Sequence, residues 1–357
     1  MAKPRIAVVG VGLIGIRHAE LVAASADAEL AAVADPSEAG AREAERLGTR
    51  HYADYREMLA RERLDGVYVA APNQLHLEVG LACIARDIPA VIEKPLADTL
   101  EAGAELVLAA EARGVPLLVG HHRRYNPMVE ATREILAGGA LGRLVAINAL
   151  WAVRKPDPYF DATWRRSPGG GPILINMIHD VDCLRHFCGE IAQVQAYGSS
   201  AVRGFAVEDT AVVAIRFTSG ALGTITLTDT APSPWGWEAG SADNPGIAAS
   251  GQNCYRFLGT AAALDFPNLT LWRGTGAEPA DWSQPLTAKP LPWGGHEALP
   301  RQLEHFLAVI AGTETPRVSG RDGLATLAAT LAVKQAIDTG RPAEPAPPPP
   351  VPAGARA

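Results

Sequence analysis

A glycine-rich turn near the start of the chain constrains the fold more than any other feature of the sequence. It directly follows the apolar run Ile6–Val9 and opens a helical pattern. In a strand, turn and helix of this kind, the first glycine allows the turn, the second lets the backbone approach a pyrophosphate and the third packs the helix on the strand. The sequence therefore predicts a dinucleotide-binding turn. Its expected contact residues are Gly10, Gly12, Leu13, Ile14 and Gly15.

The second predicted strand, Leu30–Ala34, ends at an acidic residue. Asp35 stands twenty positions after Gly15. A carboxylate there accepts hydrogen bonds from the adenine ribose hydroxyls and repels a 2′-phosphate. We therefore expect NAD as the cofactor, with NADP disfavoured. The alternative is a glycine turn and a helix-capping Asp in an α/β fold that binds no nucleotide.

Short apolar runs alternate with helical patterns through the first third of the chain. The expected strands are Ile6–Val9, Leu30–Ala34, Val67–Ala70, Ala90–Ile92 and Leu117–Val119. The expected helices are Leu13–Ser25, Ser37–Leu47, Gln74–Arg86 and Thr99–Arg113. This alternation predicts an α/β fold that begins with a parallel-sheet Rossmann domain over residues 1–121.

Longer strands follow residue 121. The expected strands are Leu144–Val153, Val194–Ser200, Asp209–Phe217, Leu222–Asp229, Tyr255–Leu258 and Leu269–Trp272. The expected helices are Pro127–Ala137, Ile173–Phe187, His296–Ile310 and Asp322–Thr339. The pattern predicts an α+β domain over residues 122–341 with a large, mainly antiparallel open sheet. A Pro- and Ala-rich tail, residues 342–357, is expected to lie outside the core.

Composition excludes several classes of protein. The formal net charge of −7 argues against a nucleic-acid binder, and no run approaches the roughly 18 apolar residues of a membrane span. Four irregularly spaced cysteines indicate reduced thiols and a cytoplasmic location. The run Ile6–Ile16 after two basic residues has some features of a signal peptide, but it carries the glycine turn and is interpreted as structure. The expected ligand is a small molecule.

Further motifs follow the later strands of the first domain. They are Ala71-Pro72-Asn73-Gln74-Leu75-His76, Glu93-Lys94-Pro95 and Arg123-Arg124-Tyr125-Asn126-Pro127, and Trp164-Arg165 then precedes Gly169-Gly170-Gly171 and a helix bearing His179. In this order and spacing the chain resembles the Gfo/Idh/MocA oxidoreductases, the family of glucose–fructose oxidoreductase and inositol dehydrogenase, as far as about residue 341. The resemblance implies hydride transfer between nicotinamide and a secondary alcohol or ketone of a sugar, cyclitol or similar ring polyol.

The resemblance also implies that the carboxyl ends of the strands carry the cofactor contacts. These further contacts are Pro72, Asn73, His76, Glu93, Lys94 and Arg123. Lys94 is implied to be the catalytic lysine, because loss of solvation in a closed cleft helps an amine to exchange a proton. A cis peptide bond before Pro95 is expected to aim it inward. The alternative for Lys94 is a solvated surface lysine.

The helix after the triple glycine departs from the family pattern. Much of the family carries an Asp and, four residues later, a His; here His179 matches the His, but Ile175 stands at the Asp position. Asn176 can hydrogen-bond a substrate, but it cannot carry a proton. We expect His179 and Lys94 to handle the proton and Asn176 to orient the substrate. The alternative for His179 is a buried structural histidine.

The same helix carries two aspartates and three residues whose spacing would suit a metal site. Asp180 and Asp182 are expected to pair with arginines or to cap locally. His179, Cys183 and His186 recur at i, i+4 and i+7, which a zinc site would use. The cysteines instead continue an apolar stripe, so no metal is expected.

The second domain supplies the expected substrate contacts besides Lys94, Asn176 and His179. They are Tyr125, Trp164, Arg165, Trp235 and His296. Trp235 and Trp237 lie in a Gly-, Pro- and Ser-rich segment, residues 231–251, that is expected to form a lid, and aromatic faces suit a sugar or cyclitol ring. The alternative is that these tryptophans fill the core. The uncovered sheet face, by the family resemblance, predicts a homodimer or homotetramer.

Two other functions stay open. NAD-assisted elimination or glycoside cleavage through transient oxidation uses the same first step. A non-catalytic NAD-binding sensor or scaffold is favoured by the missing Asp and opposed by the presence of Lys94 and His179.

Overall fold

The computed structural model describes residues 2–244, 246–276, 280–295 and 298–350. The chain divides into two compact units. The first unit holds the described residues up to His122, Leu299–Leu327 and residues 347–350, and the second holds those of Arg123–Ala298 and Ala328–Ala346. The sequence places residues 299–327 in the second domain. They belong to the first unit because Phe306 packs edge-on against Tyr68 of its sheet.

The first unit contains a six-stranded parallel sheet. Its strands are β1 (Arg5–Val9), β2 (Glu29–Ala34), β3 (Arg50–Tyr52), β4 (Gly66–Val69), β5 (Ala90–Ile92) and β6 (Leu117–Val119). The helices between them are α1 (Leu13–Ala24), α2 (Glu38–Arg46), α3 (Tyr55–Arg61), α4 (His76–Ile84) and α5 (Leu100–Arg113). The spatial order β3-β2-β1-β4-β5-β6 is that of a Rossmann domain, which confirms the predicted fold of this part.

The central strands are short apolar runs because they are buried on both faces. Every residue of β4, β5 and β6 is buried. The sequence prediction omits β3 and α3, since the residues of β3 are Arg, His and Tyr, and two of the three are exposed at the edge of the sheet. Side chains cap α2 and α5 at Ser37 and Thr99, whereas α1 starts at Gly12 without a side-chain cap.

The second unit contains an eight-stranded sheet. Its strands are β7 (Leu144–Ala152), β8 (Ile191–Ser199), β9 (Thr210–Phe217), β10 (Leu222–Thr228), β11 (Tyr255–Gly259), β12 (Ala263–Phe266), β13 (Thr270–Gly274) and β14 (Leu286–Pro290). The order is β14-β13-β12-β11-β7-β10-β9-β8, and of the described neighbours only β7 and β10 pair in parallel. Its helices are α6 (Pro127–Ala137), α7 (Ile178–Cys188) and α8 (Trp237–Ser241). Of the last two helices, α9 (Ala298–Ile310) after its first residue and α10 (Gly320–Thr339) as far as Leu327 belong to the first unit, and the rest of α10 belongs to the second.

One face of this sheet forms the core of the second unit. Along β9, Ala211, Val213 and Ile215 are buried, whereas Val212, between Ala211 and Val213, is 49% exposed. The alternation is that of a sheet packed on one side, and the mainly antiparallel sheet was expected. The sequence prediction omits β12, β14 and α8. β14 is exposed along its whole length, so it carries no hydrophobic alternation.

Two segments differ from the sequence prediction. The helix expected over residues 173–187 starts with a π-helical turn, Ile173–Met177, before α7. The prediction that the tail lies outside the core is wrong at its start: Ala343 is buried in the second unit and bridges to Val194 by two backbone hydrogen bonds. None of the helices in the described part of the chain is long and apolar enough to cross a bilayer.

Candidate active site

The three glycines of the first turn have different surroundings. At Gly10, whose φ is +86°, a Cβ would lie 2.6 Å from the Ala70 carbonyl oxygen, and at Gly15 it would lie 1.9 Å from the carbonyl oxygen of Gly10. At Gly12 a Cβ would meet nothing within 4 Å. The fold therefore needs glycine at the first and third positions, whereas the second borders open space. With no side-chain cap at the start of α1, this cradle suits a pyrophosphate.

Asp35 at the end of β2 is tied to this turn. Its Oδ2 accepts the Val11 backbone N–H at 2.9 Å, and its Oδ1 accepts the Ser37 backbone N–H at 2.9 Å. Burial raises the pKa of Asp35, but the hydrogen bonds from Ser37 and Val11 outweigh it, so the pKa is lowered. The carboxylate therefore stands ionised beside the glycine turn, where it can accept hydrogen bonds.

The motif after β4 is anchored by His76. Pro72 is exposed and Asn73 is half-buried, whereas His76 is completely buried and each of its ring nitrogens lies 2.9 Å from a backbone carbonyl oxygen, those of Pro95 and Ala71. Burial lowers the pKa of His76. His76 thus ties this loop to the turn after β5 and does not present its ring to a ligand.

The turn after β5 carries a half-buried lysine beside a buried glutamate. Glu93 Oε1 lies 2.9 Å from Nε2 of His18 on α1, and its Oε2 accepts the backbone N–H of Lys94 at 3.1 Å. Burial raises the pKa of Glu93, but the hydrogen bond and charge of His18, with Lys94 nearby, lower it to about 2. The expected cis bond before Pro95 is confirmed. Glu93, expected at the cofactor, lies in the interior and holds the lysine turn.

Sequence reasoning missed His18. Its ring stacks on Tyr68 at 4.3 Å between centroids, and both residues are buried. A polar side chain on the buried face of the first helix is the signal that would have found it, because such a group needs a partner.

The second unit positions Asn176 and His179. Asn176 lies half-buried in the π-helical turn, and His179, 7% exposed, lies in the first turn of α7. Asn176 Oδ1 accepts a hydrogen bond from Nζ of Lys155 at 2.7 Å. Lys155 is buried after β7, and the sequence analysis did not single it out. π-helical turns occur often at functional sites.

The two arginines before α6 pair with the two aspartates of α7, as expected. Arg123 Nη1 donates to Asp180 at 3.1 Å, and Arg124 Nη2 donates to Asp182 at 2.7 Å. Arg123 also donates to Glu238 at 2.9 Å and is 1% exposed. Its guanidinium, expected at the cofactor, is instead enclosed by these carboxylates.

Burial raises the pKa of Asp180, although the charge of Arg123 opposes the shift. Tyr125, expected at the substrate, is completely buried. Both observations assign this region to the interior of the second unit.

The remaining aromatic candidates divide into two groups. Trp164 and Trp235 are 54% and 44% exposed, and the Arg165 guanidinium lies 3.9 Å from the centroid of the Tyr159 ring. Trp237 is 1% exposed, so it fills the core. His296 lies outside the described residues. Within the described ranges, no group of three His, Cys, Asp or Glu side chains is arranged to hold a metal ion.

Together these features define a class of protein. The class is that of the dinucleotide-dependent oxidoreductases. It is indicated by the Rossmann sheet, the glycine turn open at Gly12, the ionised Asp35 and the lysine at the carboxyl end of β5. The family model for the oxidoreductase family with an NAD-binding Rossmann fold, GFO_IDH_MocA, matches residues 4–121, and the GFO/IDH/MocA C-terminal domain matches residues 129–265. The chain belongs to the Gfo/Idh/MocA family, and it is an NAD-binding oxidoreductase.

Named relatives support the assignment. The chain is 32% identical to 1,5-anhydro-D-fructose reductase of Ensifer adhaerens, covering 81% of this chain and 82% of that protein. It is 32% identical to inositol 2-dehydrogenase of Rubrobacter xylanophilus over 66% of this chain and 67% of that protein. The crystal structure of the WlbA dehydrogenase from Chromobacterium violaceum, in complex with NADH and UDP-GlcNAcA, is similar with a TM-score of 0.78 and 26% identity over 96% of each chain.

The glycine turn yields a test of cofactor binding. A Gly12→Val variant should fold normally, because its backbone is extended and the added atoms enter open space. It should bind NAD at least about tenfold more weakly, a loss of about 1.4 kcal/mol, since the side chain blocks the phosphates. Titration with NADH measures the affinity for the cofactor, and urea denaturation measures the stability of the fold.

Gly15→Ala is the matched control. Its Cβ would meet the Gly10 carbonyl oxygen, so we expect a loss of stability of about 1–3 kcal/mol or more. Unchanged NAD affinity in Gly12→Val would contradict the assignment of the turn.

The buried glutamate yields a second test. The pKa of Glu93 in the folded protein, about 2, lies below its ordinary 4.5, so its charge stabilises the fold above pH 4.5 and the contribution is lost as the pH falls towards 2. The wild type should therefore lose about 3 kcal/mol more than Glu93→Gln over this interval. Urea denaturation at stepped pH measures the difference. Parallel pH curves for the two proteins would refute the paired, ionised Glu93.

Proposed function

We propose that the chain oxidises a secondary alcohol, or reduces the ketone, of a sugar, cyclitol or similar polyol with NAD as the redox partner. The names of its relatives, an anhydrofructose reductase and an inositol dehydrogenase, support this substrate class. The observation that carries the proposal is the lysine turn after β5, where Glu93 and His76 hold the backbone around Lys94. In this proposal the first unit binds the cofactor, and the second selects the substrate.

Lys94 and His179 are proposed to share the proton transfer. A positioned amine or imidazole takes the proton from the reacting hydroxyl during oxidation and returns it during reduction. Asn176 hydrogen-bonds the substrate and orients it. Its amide can donate and accept hydrogen bonds, but it cannot take up or release a proton as a carboxylate can. When bound, NAD supplies the hydride acceptor or donor, and the protein supplies position and protons.

Asp35 is proposed to set the preference for NAD over NADP. Its ionised carboxylate beside Val11 of the glycine turn accepts hydroxyl donors and repels a 2′-phosphate. We further propose a cytoplasmic location, where the four buried cysteines stay thiols.

Replacement of the lysine tests the reaction. In Lys94→Met we expect kcat to fall about 10²–10⁴-fold, the usual contribution of a general acid or base, while NAD affinity changes little. The measurements are NADH absorbance with a panel of sugars and cyclitols, and NADH titration. Lys289→Met, which removes an exposed lysine of β14, is the control and should keep full activity.

The same panel separates catalysis from sensing. Turnover by the wild type that is lost in Lys94→Met supports the oxidoreductase. NAD binding without turnover of any panel member would favour a non-catalytic sensor, and full activity of Lys94→Met would remove the proposed role of the lysine.

We also propose that the open sheet face joins copies of the chain into a homodimer or homotetramer. Val212, Leu222 and Leu258 lie on this face and are 49%, 56% and 45% exposed. Scattered apolar residues on a surface are ordinary, but Leu222 and Leu258 flank Ala146 of β7 in register, and Val212 adds to this face further along β9. Adjoining apolar side chains of this kind mark an interaction site.

An arginine on this face tests the assembly. Val212→Arg should shift the mass measured by light scattering towards that of the monomer, because an unpaired charge would be buried at the interface. Val202→Arg, at a 68% exposed position outside the strands, is the control and should leave the mass unchanged. An unchanged mass for Val212→Arg, or a monomeric wild type, would exclude this face as the interface.

A further inference from the structure

A buried ammonium group lies beside the residue proposed to orient the substrate. We propose that the substrate carries a carboxylate, which Lys155 and Asn176 bind. The inference rests on the proposed function, because it places Asn176 at the substrate. It narrows the polyols to acidic ones, such as sugar acids or hydroxy acids with several hydroxyls.

Contacts within the second unit hold Lys155 in place. The residue is 8% exposed, and its Nζ lies 2.7 Å from Asn176 Oδ1 and 3.4 Å from Asp229 Oδ2. The ammonium also lies 4.8 Å from the centroid of the Tyr159 ring. A lysine is rarely buried without a reason, because removing its charge from water is costly. Here the ammonium is held at Asn176, within the turn that precedes the helix of His179.

Lys155 shares a buried carboxylate with a second cation. Asp229, 1% exposed, also binds Arg203, whose Nε lies 2.9 Å from Oδ1. One buried carboxylate therefore serves two cations. Asp157 at the rim is 79% exposed, and it lies 3.8 Å from Arg203 and 3.6 Å from Arg154, so solvent screens it. The charge of Asp229 is thus divided between Lys155 and Arg203.

A further cation lies on the same aromatic ring. The Arg165 guanidinium is 3.9 Å from the centroid of the Tyr159 ring, on which Lys155 also lies. Arg165 donates to the Tyr159 carbonyl oxygen at 2.6 Å. The phenol ring thus contacts two cations, and this adds to the positive potential beside Asn176.

The lysine also fixes which way the Asn176 amide points. An ammonium only donates, so the amide atom that faces it is the oxygen, and the NH₂ group is the part left to meet a ligand. Lys155 and Asn176 therefore present donors. A carboxylate has only acceptors, and it gains both charge attraction and charge-assisted hydrogen bonds here. A neutral hydroxyl gains only the hydrogen bond.

Matched substrates test the inference. NADH formation is measured on the full-length protein for D-glucuronate and D-glucose, for D-galacturonate and D-galactose, and for myo-inositol. We expect kcat/KM to be at least about tenfold higher for the acid of a pair, the advantage of a hydrogen bond to a charged group. The KM for the acid should rise with added NaCl, because salt screens the attraction, and the KM for the neutral sugar should stay constant.

Variants identify the residue responsible. Lys155→Met should raise the KM for the acid at least about tenfold and change that for the neutral sugar less than about threefold. Lys155→Arg keeps the charge and should retain most of the preference. Lys289→Met controls for the loss of one positive charge. Melting temperatures show whether Lys155→Met still folds, and the salt titration of the wild type needs no variant.

The outcomes separate this inference from the proposed function. Turnover of the neutral sugars with no preference for the acids would overturn the inference and leave the proposed function standing. Equal losses for both members of a pair in Lys155→Met would show that the lysine only supports the fold, and would also overturn it. If no panel member is oxidised, and none raises the melting temperature in the presence of NAD, both fail.

Discussion

The charged carboxylate of Glu93 cannot be removed from water unless donors replace the water, and much of the first unit is arranged to meet that requirement. His18 on α1 reaches it from one side, and the backbone N–H of Lys94 reaches it from the next residue. Gly120 leaves room for it, since a Cβ there would lie 2.7 Å from Oε1. The helix that starts at the phosphate cradle and the turn that carries the lysine are therefore joined through one buried group, so their geometry is set together.

The second unit also buries a charged group together with its hydrogen-bond partners, and here the charge is positive. Arg123 brings a positive charge into its interior, where Asp180 and Glu238 surround it. Tyr255 donates to Asp180, and Trp151 donates to Glu238 at 2.9 Å, so the second carboxylate is also hydrogen-bonded. A buried pair of this kind adds little net stability, because its formation must offset the desolvation of both charges. Its effect is geometric: Asp180 is the neighbour of His179, and the network holds the first turn of α7 where it is.

Sequence reasoning succeeds where a property is local and fails where it depends on partners distant along the chain. The strand Ala90–Ile92 was predicted to the residue, because a buried parallel strand is a short apolar run between polar residues. The edge strand Arg50–Tyr52 has no such pattern, and only its pairing with β2 makes it a strand. The glycine turn and Asp35 were identified by spacing. His18 and Lys155 were not identified, because each acquires its role from a distant partner. Glu93 lies 75 residues from His18 and Asn176 lies 21 residues from Lys155, and no periodicity in the sequence connects the members of either pair.

The departure at Ile175 is best understood from the contacts of its neighbour. Asn176, the next residue, accepts a hydrogen bond from Lys155, whose ammonium also pairs with Asp229. With Ile175 apolar and Asn176 neutral, the lysine meets an amide oxygen, and the turn carries no carboxylate of its own. A turn with no carboxylate beside a buried ammonium suits the acidic substrate proposed above, and it is consistent with the proposal that Lys94 and His179, rather than this turn, transfer the proton.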